Sequence, residues 1–450
     1  MLISELPVLR NIIELFNINR VISYAEKTEI ELTMADLLDN YIMNTPLSFS
    51  SPYFHQELDE YIIKNTIQPL IPVYDDIESL EYEIDNIYQL VRKKYFSTYY
   101  PIRSYPTSFI RATPNKDKMT LKILDIEKKP QPDQRTSEWY EFRHNLITAS
   151  SAWKVFKSQS SVNQLIVEKC KPIDVNKYDA VNTNTPMHHG NKYEDVSIMF
   201  YEYMYKTKVK DYGCIQHDTY KCLGASPDGI NVDPSSDRYG RMVEIKNPTT
   251  REITGIPKED YWIQMQLQME TCNLNECDFL ETLFKEYDDE DMFMNDGTFT
   301  HSEEGELKGI IAYFMKNGKP MYEYMPLYNS EKQYNTWIED KMDANSELTW
   351  VKNIYWKLEK YSCVLVLRNK YWFKHAIGKI IDVWDIIEKE RITGVEHRAA
   401  RKTNRSSRSN SVCDTTSNAD NSCLINVDNL KNQIIYIDTK YELDVSGGTN

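Results

Sequence analysis

The chain has 450 residues, with 53 Lys plus Arg against 68 Asp plus Glu, a formal net charge of −15, and 41% hydrophobic against 27% charged residues. That balance is ordinary for a globular protein and excludes a wholly disordered chain. No apolar run reaches the roughly 18–20 residues that span a bilayer, and Met1-Leu2-Ile3-Ser4-Glu5 is no secretory leader, so an intracellular protein with no membrane partner is expected.

The acidity is local. Residues 1–100 carry 16 acidic and 7 basic side chains, and residues 281–310 carry 10 and 2, which leaves a basic working face open elsewhere. The eight cysteines include no Cys-x-x-Cys pair and read as reduced thiols.

In chain order, Ile77, Leu80, Ile84, Ile87 and Val91 recur at three- and four-residue spacing, which predicts a helix over 77–95 capped by Asp75 or Asp76. Residues 1–130 are read as a helical extension ending in a Pro- and Lys-rich linker over 101–135. Residues 131–396 are read as a second, larger domain. Helices are expected over Thr136–Leu146, from about Ser150, and from Gly190 to Lys206, followed by short strands with turns at Asp218-Thr219, Asp228-Gly229 and Pro234–Asp237. A helix over Asp260–Cys272, a hairpin turning at Asn317-Gly318, a strand over Ser362–Leu367 and a helix over Lys374–Lys389 complete it. Residues 397–450 turn to Ser, Asn, Thr and Asp after a basic start (Arg398, Arg401, Lys402, Arg405, Arg408), and a disordered tail is expected.

The strongest constellation is Ser226-Pro227-Asp228-Gly229 followed by Val243-Glu244-Ile245-Lys246-Asn247-Pro248. Strand alternation puts Glu244 and Lys246 on one face and Val243 and Ile245 on the other. An acid and an amine side by side on a buried strand are costly unless a divalent ion or an anion sits between them. Two carboxylates facing one point suit Mg²⁺, and a lysine there can orient or deprotonate a water or neutralise charge on a phosphate. Taken alone, Glu-x-Lys is weak: Glu127/Lys129, Glu306/Lys308 and Glu339/Lys341 share it, and each reads as a solvated salt-bridging face. What separates Glu244 is the apolar strand around it and the Pro-Asp-Gly turn upstream.

Further candidates surround this pair. Glu194 is a third carboxylate, expected in the first turns of a helix opened by Gly190. Gln264 and Gln268 lie one turn apart, away from the apolar stripe Tyr261, Met265, Met269, Cys272. His188 and His189 are read as adjacent residues on a strand or loop that point apart and so hold no zinc, and Cys272 and Cys277 lack the clustering of an iron–sulfur site. Arg143 reads either as a surface arginine stacked on Trp139 or as an anion-binding group, and Ser150 as a helix N-cap that could also serve a phosphate.

From Arg135 to about Phe284 the motifs occur in a family's order: Arg135-Thr136-x-x-Trp139-x-x-x-Arg143, Ile147-Thr148-Ala149-Ser150, Gly190-x-x-Tyr193-Glu194, then Ser226–Gly229, Glu244–Pro248 and Tyr261–Gln266. This stretch resembles the lambda-exonuclease and YqaJ-type viral recombinase family of the PD-(D/E)XK nuclease superfamily. The resemblance implies an α/β fold: a mixed sheet flanked by helices, here with a helical N-terminal extension. It implies Asp228, Glu244 and the Ile245 carbonyl as ligands of Mg²⁺ or Mn²⁺, Lys246 as the water-positioning lysine, Glu194 as a supporting carboxylate and Gln264 as a polar contact near the lysine. It places a DNA 5′-phosphate on Arg143 and Ser150. It further implies an exonuclease digesting duplex DNA 5′ to 3′ in viral recombination, repair or replication, acting in the host cytoplasm or nucleus. A single-strand annealing protein as partner and a homotrimer belong to the same implication. A structure-specific endonuclease and a non-catalytic DNA-binding module are the alternatives. Asn247 departs from the family pattern, which has cysteine after the lysine.

Overall fold

The computed structural model describes residues 22–132, 136–173, 182–183 and 185–398. Arg135 and nearly all of the expected tail lie outside them.

The N-terminal helices are α1 (Tyr24–Asn44), α2 (Phe54–Ile67), α3 (Ile77–Thr98) and α4 (Lys116–Lys128). Ser23 and Glu26 form a capping box on α1, which buries Ile30, Met34, Leu38 and Ile42 at four-residue intervals. Asp76 caps α3, as one of the two residues proposed from sequence. The stretch read as a linker contains α4, capped by Asn115 and burying Ile123 and Ile126. Its Pro and Lys content marks the ends of that helix and its wet face, not an extended tether.

The rest is α5 (Ser137–His144), β1 (Ile147–Thr148), α6 (Ala149–Ala152), α7 (Gln159–Cys170), α8 (Pro186–Tyr205), β2 (Val209–Lys210), β3 (Ile215–Gln216), β4 (Leu223–Ala225), β5 (Gly229–Asn231) and β6 (Met242–Lys246). Then come α9 (Glu259–Thr271), β7 (Glu276–Glu286), α10 (Glu290–Asn295), β8 (Lys308–Lys316), β9 (Lys319–Tyr324), α11 (Glu331–Ala344), β10 (Thr349–Leu367) and α12 (Lys370–Thr393). One sheet runs β2-β5-β6-β7-β10-β8-β9, parallel between β6 and β7 and antiparallel elsewhere, and a small sheet runs β1-β4-β3. The expected mixed α/β architecture with a helical N-terminal region is what the chain adopts.

Helix α9 is buried at every position from Trp262 to Thr271. A helix enclosed on all sides sits inside the fold rather than on it. Its residues share one core with α1–α3, β4, β7 and α12. Arg103, 2% exposed, ties the N-terminal helices to it by donating to the carbonyls of Ser50 at 3.1 Å and Pro257 at 2.6 Å, while Trp262 Nε1 donates to the Arg103 carbonyl at 2.8 Å. The opposite face of the large sheet is covered by α8, where Tyr201 packs on Val243, Ile245 and Leu280. Helix α8 begins at Pro186 with Thr185 as its cap, four residues before the expected Gly190 start. Proline is pre-set for a first helical turn, whereas glycine is tolerated inside one. No helix among the described residues is long and apolar enough to cross a membrane.

Candidate active site

Strand β6 lies between β5 and β7, with Gly229 paired to Val243 and Glu244 paired to Phe279. The turn entering β5 therefore delivers Asp228 to the flank of β6, where its Oδ2 accepts the Ile245 N–H at 2.7 Å. Glu244 is fully buried on the face towards α9. Its Oε1 pairs with Lys246 Nζ, and its Oε2 accepts Gln268 Nε2 at 2.7 Å. The Lys246 ammonium also lies 5.3 Å from the Tyr261 ring centre.

Three acids share this field. Burial pushes the Glu244 carboxyl up to about 7, with the Asp228 charge adding to the rise and Lys246 and Gln268 opposing it. Burial also raises Glu194 to about 8, reinforced by Asp228, Asp195 and Glu244 and opposed by Lys246. Asp228 is raised by burial against the pull of Lys246 and the Ile245 amide. Burial works against the Lys246 charge, but Glu244 and Asp228 outweigh it and hold its pKa above the ordinary lysine range. Three carboxyls facing one ammonium leave negative charge that a divalent cation is suited to neutralise. Among the described residues no three His, Cys, Asp or Glu side chains stand in a metal-holding cluster, and the Glu244 oxygens are taken by Lys246 and Gln268. Carboxyl oxygens such as those of Asp228, Glu244 and Glu194 are of the kind that a hard cation takes.

Next to it lies a second polar group. Arg143, at the end of α5, donates through Nη1 to Ser226 Oγ at 3.1 Å and through Nη2 to Ser150 Oγ at 3.4 Å. Its guanidinium sits 4.5 Å from the Trp139 ring centre, so the stacking read from sequence is present together with the two serine contacts. Ser226 is two residues before Asp228, within about 7 Å along the chain. Ser150 lies inside α6, whose N-cap is Thr148, so its hydroxyl does not cap the helix. Helix α5 buries no side chain and is held from outside. Lys169 donates to the Arg143 carbonyl at 2.7 Å, and Arg391 donates to the His144 carbonyl at 2.8 Å and to Asn145 Oδ1 at 3.1 Å.

One residue, Ser226, enters with no role read from sequence, and the polar contact open to either Gln264 or Gln268 falls to Gln268. Gln268, not Gln264, makes the amide contact to Glu244, while Gln264 is buried one turn earlier in α9. Ser226 carries no function of its own in its motif; its position two residues ahead of Asp228 is the signal that points to it. His188 and His189 lie on α8 rather than on a strand or loop, and His188 Nε2 is 2.6 Å from Tyr322 OH. Lys308 is fully buried, against the reading of a solvated face for its triplet.

Residues 138–275 match the family model described as the YqaJ-like viral recombinase domain, the same stretch and family that the motifs resemble. Over 307 residues the chain is 31% identical to an uncharacterized protein of Acanthamoeba polyphaga mimivirus, covering 59% of this chain and 54% of that one. The chain thus spans about half the length of that relative. Among solved structures it is similar to an alkaline exonuclease from Laribacter hongkongensis, at 20% identity over 57% of this chain and 94% of that one, with a TM-score of 0.35. A phage-related exonuclease from Haemophilus somnus 129PT matches at 14% identity over 56% and 96%, with a TM-score of 0.30. Likeness at this level carries nothing about activity, which rests on the residues of the site.

Proposed function

We propose that this YqaJ-like domain is a metal-dependent deoxyribonuclease that digests duplex DNA from its ends, 5′ to 3′, in viral recombination, repair or replication inside an infected host cell. The observation that carries the reading is the junction of two groups: Asp228, Glu244, Lys246 and Glu194 on one side, and Arg143 with Ser150 and Ser226 on the other. Asp228, Glu244, Glu194 and the Ile245 carbonyl would hold Mg²⁺ or Mn²⁺. The ion would supply Lewis-acid stabilisation of charge on the scissile phosphate and its leaving oxygen.

The chain's own residues do the rest. Lys246 positions the attacking water and, with Glu244 beside it, takes part in moving its proton. Gln268 fixes the orientation of Glu244. The planar Arg143 fork, held flat on Trp139, binds a terminal 5′-phosphate with the Ser150 and Ser226 hydroxyls, which sets the adjacent phosphodiester over the acids. A pocket for a chain end favours exonuclease over endonuclease action, and the intact Asp228, Glu244 and Lys246 set favours catalysis over passive binding. A single-strand annealing partner and a trimeric assembly remain part of the same proposal.

The test is one assay with four substrates: linear duplex bearing 5′-phosphate, the same duplex with 5′-hydroxyl, a nicked circle and a closed circle, each with Mg²⁺ and with chelator. Metal-dependent loss of the 5′-labelled strand from linear DNA alone is expected. Cutting of the closed circle would replace the exonuclease reading with an endonuclease, and no cutting of any substrate would sink both.

A further inference from the structure

Asn247 follows Lys246 directly, so alternation turns its side chain away from Glu244 and Lys246, towards α8. There its Oδ1 accepts hydrogen bonds from Thr282 Oγ1 at 2.5 Å and Ser197 Oγ at 2.8 Å, and its amide donates to the Gly190 carbonyl at 2.9 Å. Ser197 and Thr282 are fully buried, and their hydroxyls lie 2.8 Å apart. Gly190, Glu194 and Ser197 stand at i, i+4 and i+7, on one face of α8. The side chain of Asn247 therefore grips the helix one turn before Glu194 and again one turn after it.

We propose that Asn247 is a positioning residue that fixes the register of α8 against β6 and so sets Glu194 in place beside Asp228 and Glu244. The apolar contacts of α8 on Val243 and Ile245 are non-directional, and a small slide costs them little; its directed bonds from Tyr201 OH to Asp278 Oδ2 at 2.6 Å and from Tyr193 OH to Glu286 Oε1 at 3.1 Å run to β7 and not to β6. Three directed hydrogen bonds to one side chain do not tolerate that slide. An amide is the group that can accept twice and donate once here. The cysteine of the resembling family has only a weak thiol donor and acceptor and cannot reproduce all three bonds. Thr282, on β7, joins the second strand of the parallel pair to the same point, so helix and both strands meet at Asn247.

This inference rests on the nuclease reading of the site, and the experiment separates the two. The full chain is compared as wild type, Asn247→Ala, Thr282→Val and Thr282→Ser, by kcat and KM on linear duplex, by calorimetric titration with Mn²⁺ alone, and by melting temperature. Asn247→Ala should lower kcat and Mn²⁺ affinity by roughly 10- to 100-fold, the usual cost of losing a group that orients a metal-holding carboxylate, with KM for DNA unchanged. Thr282→Val, which removes one bond and keeps the shape, should do the same more weakly, and Thr282→Ser should restore wild-type values. Unchanged kcat and Mn²⁺ affinity in a folded Asn247→Ala protein overturns the proposal, as does identical behaviour of Thr282→Val and Thr282→Ser. If Asn247→Ala does not fold, the Thr282 pair decides by the same criterion. Wild-type protein that cleaves nothing sinks the nuclease reading instead, and the Mn²⁺ titrations still decide the role of Asn247.

Discussion

Two Glu-x-Lys triplets lie at strand ends of the large sheet, one with Lys246 partly buried and one with Lys308 fully buried, and they do opposite things with the lysine. In Glu244-Ile245-Lys246 the acid and the amine pair with each other, and the Asp228 and Glu194 carboxyls act on the same point. In Glu306-Leu307-Lys308 they part company. Lys308 Nζ donates to the carbonyls of Phe293 at 2.5 Å, Asp296 at 2.6 Å and Thr298 at 2.9 Å, closing the end of α10, while Glu306 pairs with Lys357 at 2.6 Å. Main-chain carbonyls fully satisfy an ammonium with three donors, and such a lysine is structural. An ammonium facing surplus carboxylate leaves negative charge that a cation is suited to neutralise, and such a lysine is a candidate for chemistry. The remaining triplets are ordinary: Lys129 pairs with Asp218 and Lys341 with Glu323 at the surface.

The largest expected effect breaks this contrast most directly. Asp228→Ala, Glu244→Gln and Lys246→Ala should each lower cleavage by at least about 10³-fold, the scale of losing a group that stabilises transition-state charge, while the melting temperature holds or rises in the two acid variants and falls in Lys246→Ala, which leaves Glu244 without its ion pair. Lys308→Met should do the reverse. It keeps the volume but strands three carbonyls, so unfolding free energy should fall by about 2–4 kcal/mol in denaturant titration, with kcat normal at low temperature. Near-normal cleavage by any of the first three, or a kcat collapse in folded Lys308→Met, would reverse the roles of the two lysines. Lys341→Ala, on the exposed helix α11, is the neutral control.

Arg143 tests the neighbouring pocket. Arg143→Ala should slow digestion of 5′-phosphorylated duplex by about 10- to 100-fold, since a hydrogen bond to a charged group is worth roughly 1.5–3 kcal/mol. The rate on 5′-hydroxyl ends should stay close to wild type. Equal slowing on both would reduce Arg143 to packing on Trp139.

How much of this was legible depended on whether the signal was local. The Asn317-Gly318 turn has both residues at positive φ, 50° and 75°, a requirement that the dipeptide itself announces. The Asp228 and Glu244 motifs could be read because a turn and a five-residue strand are short enough for sequence alone to orient. Strand β10 is legible only at its end, because it runs 19 residues and a bulge near Leu358 breaks the alternation of Ile354, Trp356 and Leu358 before the apolar run of Cys363–Leu367. The grip of Asn247 on Gly190 and Ser197 joins residues 57 and 50 positions apart, and no spacing rule predicts it.

Gln264 and Gln268 give the smallest and sharpest test, because they differ only in which turn of α9 lies over β6. From sequence they are equivalent: same helix, same side-chain type, one turn apart. Gln268 Nε2 reaches both Glu244 Oε2 at 2.7 Å and the Ser226 carbonyl at 3.2 Å, so a single amide spans Glu244 and the serine that Arg143 contacts. Gln268→Leu should free Glu244 to rotate and should cost about tenfold in kcat on 5′-phosphorylated duplex, near the 1.4 kcal/mol of one hydrogen bond. Gln264→Leu is expected to change kcat much less, since no contact of its amide with Glu244 or Lys246 is among the hydrogen bonds of the site. A larger loss from Gln264→Leu would mean that the substrate-bound helix turns its other amide to the lysine, as the family resemblance implies. The comparison of the two rates therefore reports which turn of α9 faces the reacting phosphate.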